Sequence, residues 1–402
     1  MGTPQGMRLH IGIFGRRNVG KSSLLNALTG HRASIVSKEP GCTTDPVRKA
    51  MEFHPIGPVL FTDTAGLDDD STLGEARVKK SQQVLSSTDV ALVVAQAGQW
   101  GQLEDDVVSQ LQLQKSRVIA VFNKCDKAKP SLEDKDALKN KGCRVVETSV
   151  TNGQGIFDLR RAIVDSAPGA NLAPTIATDL LPAGGLAVLV VPIDLEAPKG
   201  RLILPQVQVI RDLLDGDQGC LVVKERELGA MLSRLKEPPD LVITDSQAFL
   251  KVAGDIGSEV PLTSFSILFA RLKGDLAKLV EGAKAIENLR AGDKVLIAEA
   301  CTHHPVGEDI GRVKIPRWLT NYVGGKLEID NVQGRHFPEN LSQYSLVIHC
   351  GGCMFNRRAV LSRINACQGA GVPMTNYGLT IAYVQGLFER ALLPFQLTQS
   401  SY

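Results

Sequence analysis

The sequence predicts an α/β protein of three domains, each with strands and helices in alternation. Three observations carry this. Strand-like apolar runs alternate with helical patterns almost throughout the chain. The length of 402 residues suits roughly two to four domains, and 43% hydrophobic against 22% charged residues can give each a buried core. Two segments then divide the chain. Asp165–Pro182 carries Pro, Gly, Asn and Thr and reads as a linker, and residues 269–290 repeat apolar positions at helical spacing.

In the first domain, 1–168, strands are expected at Leu9–Phe14, Val59–Thr62, Val118–Phe122 and Cys143–Val146, with a helix over Ser22–Leu28. In the second, 180–268, Leu186–Ile193, Cys220–Val223, Leu241–Thr244 and Pro261–Leu268 read as strands. Gln206–Leu214, Glu227–Leu235 and Ser246–Val252 read as the helices between them. The third domain, 269–402, opens with one amphipathic helix (Phe269, Leu272, Leu276, Leu279, Val280, Ala283, Ile286, Leu289). Within it Val295–Ala298 and Tyr344–Ile348 read as strands and Ala359–Gln368 as a helix. Arg357 and Arg358 read as a solvated helix start, and Asn376-Tyr377-Gly378 as a turn and cap.

Net charge is +2, from 45 basic and 43 acidic residues, which gives no global pull toward nucleic acid or membrane. No apolar run is long enough to span a bilayer, and Met1–His10 lacks the apolar stretch of a signal peptide. A cytoplasmic protein is expected, with no nucleic-acid or membrane partner. In a reducing compartment its eight cysteines form no disulfide framework. Cys42, Cys125, Cys143 and Cys220 read as small buried side chains.

Gly15-Arg16-Arg17-Asn18-Val19-Gly20-Lys21-Ser22 matches G-x-x-x-x-G-K-[ST] between a strand and a helix, the context that motif requires. Its backbone N–H groups and the helix start, through Ser23, would wrap phosphates. Lys21 would reach the β- and γ-phosphates, and Ser22 would ligate Mg²⁺. Asp63-Thr-Ala-Gly66 follows a strand. Asp63 would hold Mg²⁺ through water, and Gly66 would offer its N–H to the γ-phosphate. Asn123-Lys124-Cys-Asp126 follows another strand. The Asp126 carboxylate can accept from guanine N1–H and the 2-amino group, a donor pair adenine lacks. Ser149 and Val150 stand where a backbone amide can touch guanine O6, and Thr44 is the switch threonine on Mg²⁺. In order and spacing these segments resemble the translation-factor-related, Ras-like GTPases. GTP is the expected ligand, hydrolysed to GDP and phosphate.

Leu67 follows Gly66, where Ras-like enzymes carry a water-orienting glutamine. Glu75 is an alternative group for that water, or a solvated helix carboxylate. Asn18, with Thr43-Thr44, resembles Era and the tRNA-modification GTPase, in which K⁺ supplies the charge of an arginine finger. The resemblance makes Asn18 a K⁺ ligand.

Cys301-Thr-His303 ends one strand and His349-Cys350-Gly-Gly-Cys353 ends another, with 45 residues between the two histidines. Ligand sites of α/β proteins lie at such strand ends. Three thiolates with nearby imidazoles suit iron–sulfur or zinc. Cys367 falls in a helical stretch and reads as packing. His303, His304, His349 and Glu308 are candidates for a fourth ligand.

The P-loop followed by C-x-H-x₄₅-H-C-x-x-C is similar to the [FeFe]-hydrogenase maturation GTPases, the HydF family. So are the stretches Val191–Gln208 and Leu262–Arg271. The resemblance implies GTPase, dimerisation and cluster-binding domains, with a [4Fe-4S] cluster on Cys301, Cys350 and Cys353. It also implies a scaffold or carrier for the two-iron subcluster of the hydrogenase. Two radical-SAM maturases and the apo-hydrogenase would be its partners. A homodimer through residues 180–265 is expected from edge strands there. An RNA-acting GTPase of the Era or tRNA-modification type and a zinc-stabilised regulatory GTPase are the alternatives.

Overall fold

The computed structural model describes residues 3–30, 47–64, 83–167, 175–192, 202–300 and 309–399. Thr44, Gly66, Leu67, Glu75, Cys301, His303, His304 and Glu308 lie outside these residues. The chain forms two compact units, 1–173 and 174–402.

The first unit is built on six strands in the order β2-β3-β1-β4-β5-β6. These are β1 (Leu9–Phe14), β2 (Val47–Phe53), β3 (Gly57–Asp63), β4 (Val90–Gln96), β5 (Arg117–Asn123) and β6 (Arg144–Glu147). β2 runs antiparallel to β3, and the other pairings are parallel. β1, β4 and β5 read as near-continuous apolar runs because both faces of the sheet are covered. Ile11, Leu92 and Ile119 pack on one face, and Phe14, Val93 and Phe122 on the other. The predicted motifs therefore leave one edge of the sheet: the P-loop after β1, Asp63 at the end of β3, and Asn123 at the end of β5.

The second unit holds two four-stranded parallel sheets. One has the order β10-β9-β7-β8, from β7 (Leu186–Val190), β8 (Gly219–Val223), β9 (Leu241–Thr244) and β10 (Leu262–Ser264). The other has the order β12-β11-β13-β14, from β11 (Lys294–Glu299), β12 (Glu328–Gln333), β13 (Leu346–His349) and β14 (Met374–Asn376). A single apolar cluster, from Ile176 to Phe395, runs through both.

The helix Phe265–Lys273 explains why the two sheets share one core. Phe265, Ile267, Leu268, Phe269, Ala270 and Leu272 are all buried, so little of it is left for water. The expected strand Pro261–Leu268 stops at Ser264 instead. Its hydroxyl accepts from the Ile267 N–H at 3.3 Å and caps the helix. An apolar run without alternation fits a buried strand and a buried helix alike, and the cap decides.

The single helix expected over 269–290 is also divided. Phe265–Lys273 ends at Gly274, and Asp275 caps a second helix, Leu276–Lys284, by accepting from Lys278 N–H at 3.3 Å. A 3₁₀ turn, Ala285–Asn288, follows. The expected domain boundary between 268 and 269 thus falls inside the first helix. Arg357 opens its helix and is exposed, as expected, but its guanidinium is also engaged. Its guanidinium donates to the carbonyls of Arg271 (3.1 Å) and Leu272 (2.6 Å), closing the last turn of Phe265–Lys273.

Gly282 lets the helix Leu276–Lys284 lie against the backbone of β14. A Cβ there would meet the Met374 carbonyl oxygen at 2.0 Å. Gly282→Ala should lower stability by about 1–3 kcal/mol through forced backbone movement. Gly254→Ala, on the exposed side of a helix with nothing within 4 Å, should be neutral or gain about 0.5–1 kcal/mol. Urea unfolding of the full chain measures both, and equal effects would refute this packing.

Candidate functional site

The P-loop turn depends on two glycines. Gly15 sits at φ 145°, where a Cβ would overlap the Val94 carbonyl oxygen at 2.1 Å. Gly20, at φ 97°, leaves room for the Asn123 amide, which a Cβ would meet at 2.4 Å. Lys21 opens the following helix, Lys21–Thr29, and its buried ammonium donates to the carbonyls of Gly15 (2.8 Å) and Arg16 (2.7 Å).

Ser22 and Asp63, 41 positions apart, meet: the Ser22 hydroxyl donates to Asp63 Oδ2 at 2.5 Å. The other carboxylate oxygen, Oδ1, is buried and accepts no hydrogen bond among the described residues. Burial holds the Asp63 pKa above the usual carboxylate value, against the opposing pull of Ser22 and Lys21.

Asn123 and Lys124, expected beside the base, are strapped to the P-loop. Asn123 Nδ2 donates to the Val19 carbonyl (2.8 Å), and Lys124 Nζ donates to the Asn18 carbonyl (2.7 Å) and Gln96 Oε1 (3.1 Å). Asn18 and Lys124 both hold left-handed φ, near 59° and 60°, uncommon for residues other than glycine. Ser149 Oγ donates to Asp126 Oδ1 at 2.6 Å, and this bond holds the exposed Asp126 carboxyl below its usual range. Thr148 Oγ1 donates to Asn123 Oδ1 at 3.2 Å, so the turn before Ser149 and Val150 fixes the amide that reaches the P-loop.

One ion pair here carries no motif. The Glu104 carboxylate is fully buried and accepts from Arg16 Nε (2.8 Å) and Nη2 (3.1 Å) and from the Gly101 N–H (3.1 Å). The sequence offers only a glutamate three residues into a helix, which reads as a cap. Its pairing with a P-loop arginine 88 positions away is invisible without the fold.

At the other site, β13 ends at His349, and Cys350 continues its ladder with an N–H bond to the Ala298 carbonyl at 3.0 Å. Cys350 and Cys353 flank a turn in which Gly352 takes φ 65°. Cys350 Sγ accepts the Ala300 N–H at 3.1 Å, next to the Cys301 position. Burial pushes the Cys350 thiol up to about 11 and raises the Cys353 thiol, while Lys273 pulls Cys353 down. Lys273 is a buried ammonium that donates to the Phe355 carbonyl at 2.7 Å, just beyond the turn. Nearby, the buried Glu299 accepts from Tyr377 (3.2 Å) and Gln333 (3.0 Å).

His349 does not offer a free lone pair to a metal. Its Nδ1 lies 2.7 Å from the Cys350 carbonyl, which can only accept, and its Nε2 lies 2.9 Å from Arg363 Nη1, which can only donate. Those partners fix the Nδ1–H tautomer and occupy Nε2. Burial first, and Arg363 second, press its pKa down to about 3, keeping the ring neutral. Cys367 lies buried in the helix Arg357–Gly369, with its thiol pushed up to about 12 by burial. Among the described residues no three His, Cys, Asp or Glu side chains converge as a metal site.

The sequence pattern of the hydrogen maturase F dimerization domain matches residues 176–274, and that of its tetramerization domain matches 277–394. The junction between them falls at the helix break after Gly274. The pattern described as 50S ribosome-binding GTPase matches residues 10–124. The chain is 34% identical over 165 residues to the tRNA modification GTPase MnmE of Cyanothece sp., covering 41% of this chain and 35% of that one. It is 37% identical over 153 residues to MnmE of Bacillus velezensis, covering 38% and 33%. It therefore spans about a third of the length of these relatives. The G domain of the T. maritima FeoB iron transporter aligns at 26% identity with a TM-score of 0.32, covering 40% of this chain and 99% of that one. The first unit is a GTPase domain, the second carries two self-association domains, and the chain belongs to the hydrogen maturase F family.

Proposed function

We propose that this chain is a GTP-switched scaffold that assembles or delivers the two-iron subcluster of an [FeFe]-hydrogenase, with its own [4Fe-4S] cluster on Cys301, Cys350 and Cys353. The observation that carries this is the half-buried Cys350-Gly-Gly-Cys353 turn, with the Ala300 amide on Cys350 Sγ, in one chain with a GTPase domain.

The donor set fits an iron–sulfur cluster. Two cysteines share one turn at a strand end, a backbone N–H already bonds to sulfur, and both thiols are buried enough to stay protonated until a metal displaces the proton. Such a cluster, when bound, supplies a soft anionic anchor with an iron position open to exchange. The chain itself supplies the thiolates and places the Lys273 ammonium near Cys353. The two radical-SAM maturases and the apo-hydrogenase are the proposed partners, and self-association runs through residues 176–394.

At the nucleotide site Ser22 and Asp63 fit Mg²⁺, because the buried Asp63 Oδ1, which accepts no hydrogen bond among the described residues, is an acceptor suited to a metal-bound water. Lys21 exchanges its two carbonyl partners for phosphate oxygens. Asp126, held by Ser149, selects guanine. Asn18, turned by its bond from Lys124, is the proposed K⁺ ligand. The γ-phosphate orders the switch loops and hydrolysis releases them, rather than driving bond-making at the cysteines.

Three outcomes are expected. Protein purified without oxygen should be brown and hold about four irons and four sulfides per chain, falling by more than half in Cys350→Ser or Cys353→Ser. Colourless protein with stoichiometric zinc would sink the cluster. GTP hydrolysis should run roughly 10-fold or more faster in K⁺ than in Na⁺, and equal rates would remove Asn18 from that role. Asp63→Asn should stabilise the nucleotide-free protein by a few degrees in Tm and abolish the Mg²⁺-dependent gain on GTP binding. Folding raises the Asp63 pKa, so its contribution favours the fold at acid pH and is lost as pH rises through the raised value. The advantage of Asp63→Asn should accordingly appear above that window and vanish below it, as thermal melts across pH would register.

A further inference from the structure

Arg363 is a buried guanidinium, 6% exposed, in the helix Arg357–Gly369. Nη2 donates to the carbonyls of Gly334 (2.7 Å) and His336 (3.3 Å), and Nη1 donates to His349 Nε2 (2.9 Å). The rings of Phe337 and Phe355 lie 4.8 and 4.6 Å from its central carbon. Among the described residues no carboxylate pairs with it. All its partners are neutral, although burying a cation is costly without an anion. Its ionisable neighbours are the Cys350 and Cys367 sulfurs, which would hold its charge once deprotonated. Cys367 is a helix-packed thiol pushed to about 12. That leaves the Cys350 side, reached through one imidazole.

We propose that Arg363 is the positioning residue of the cysteine site: it locks His349 out of metal coordination and places a permanent positive charge one hydrogen-bonded residue from Cys350, favouring the more reduced, more anionic form of a cluster held there.

The proposal rests on the cluster reading above. Its two parts follow from geometry. Arginine cannot accept a hydrogen bond, so it must use the only lone pair of the His349 ring, and the ring must then donate to the Cys350 carbonyl. His349 thus orients the cysteine backbone. An outer partner of this kind commonly sets ligand orientation and redox behaviour. Cluster potentials follow net charge, hydrogen bonding and burial, and a fixed cation near a ligand stabilises the added electron. The Phe337 and Phe355 rings exclude water from the guanidinium, so its field is weakly screened.

The test uses the full chain purified without oxygen, as wild type, Arg363→Gln, Arg363→Lys and His349→Gln. Dithionite titration followed by electron paramagnetic resonance reads the one-electron midpoint. Removing the charge in Arg363→Gln should make reduction about tenfold harder, a shift of ~59 mV to more negative potential. Arg363→Lys should hold the midpoint near wild type. Pulsed resonance should show no imidazole nitrogen coupling that disappears in His349→Gln. An unchanged midpoint in Arg363→Gln with iron content intact, or a coupling lost in His349→Gln, overturns the proposal.

Iron and sulfide content separates the two readings. If wild type binds neither, the cluster reading fails and the positioning part is decided on the metal-free chain. There ¹⁵N-histidine spectra should show His349 protonated on Nδ1 only, a signature altered in Arg363→Gln. A His349 signal identical in both overturns it. If Arg363→Gln does not fold, Arg363→Lys decides the question. It keeps the charge and loses the planar fork, so the His349 ring signal should change while the midpoint stays. An unchanged ring signal, or a midpoint that falls as if the charge were gone, overturns the assignment.

Discussion

The second unit depends on one buried bond, from the Lys273 ammonium to the Phe355 carbonyl. An ammonium under the surface is costly unless its protons are used. Lys273 ends the helix that both sheets bury, and Phe355 follows the cysteine turn, so the bond ties that turn to the core. Other contacts reinforce the same helix. Arg357 closes its last carbonyls, and Ser266 receives the Asn376 amide and the Gly378 N–H. The Arg271 guanidinium pairs with Asp179 at the start of the unit. A turn tied to a largely buried helix inherits its rigidity.

The nucleotide site uses a different device. The edge formed by the ends of parallel strands leaves the P-loop, Asp63 and Asn123 side by side without further help. The finer positions come from polar straps between loops: Asn123 to Val19, Lys124 to Asn18, Ser149 to Asp126, and Glu104 to Arg16. Each joins residues distant in sequence, and Asn123, Ser149 and Glu104 are buried. The loops thereby hold most of their shape before a ligand arrives, which reduces the ordering cost of binding.

Much of this was legible beforehand, for identifiable reasons. β1, β3, β5, β7, β9, β11 and β13 stand close to their expected positions because buried parallel strands are short apolar runs bounded by turn residues. Asn376 caps its helix as expected, accepting from the Leu379 N–H. The failures cluster where one local pattern serves two structures. Pro261–Leu268 is apolar enough for either strand or helix, and the Ser264 cap chose. Apolar spacing over 269–290 survives the break at Gly274 because it records only which face is buried. Arg357 is exposed at its helix start as expected, but nothing local reveals the carbonyls its guanidinium closes.

The sequence by itself determined the chemistry. It supplied a phosphate loop, an Asn-Lys-Cys-Asp turn and paired cysteines on a glycine turn, because such groups work only as particular residue types at fixed local spacing. Tertiary structure decided which of them are available. His349 stands beside Cys350 in the chain and looks like a ligand. Only the folded unit brings Arg363 onto its single lone pair, because a buried guanidinium must find an acceptor and that nitrogen is within reach.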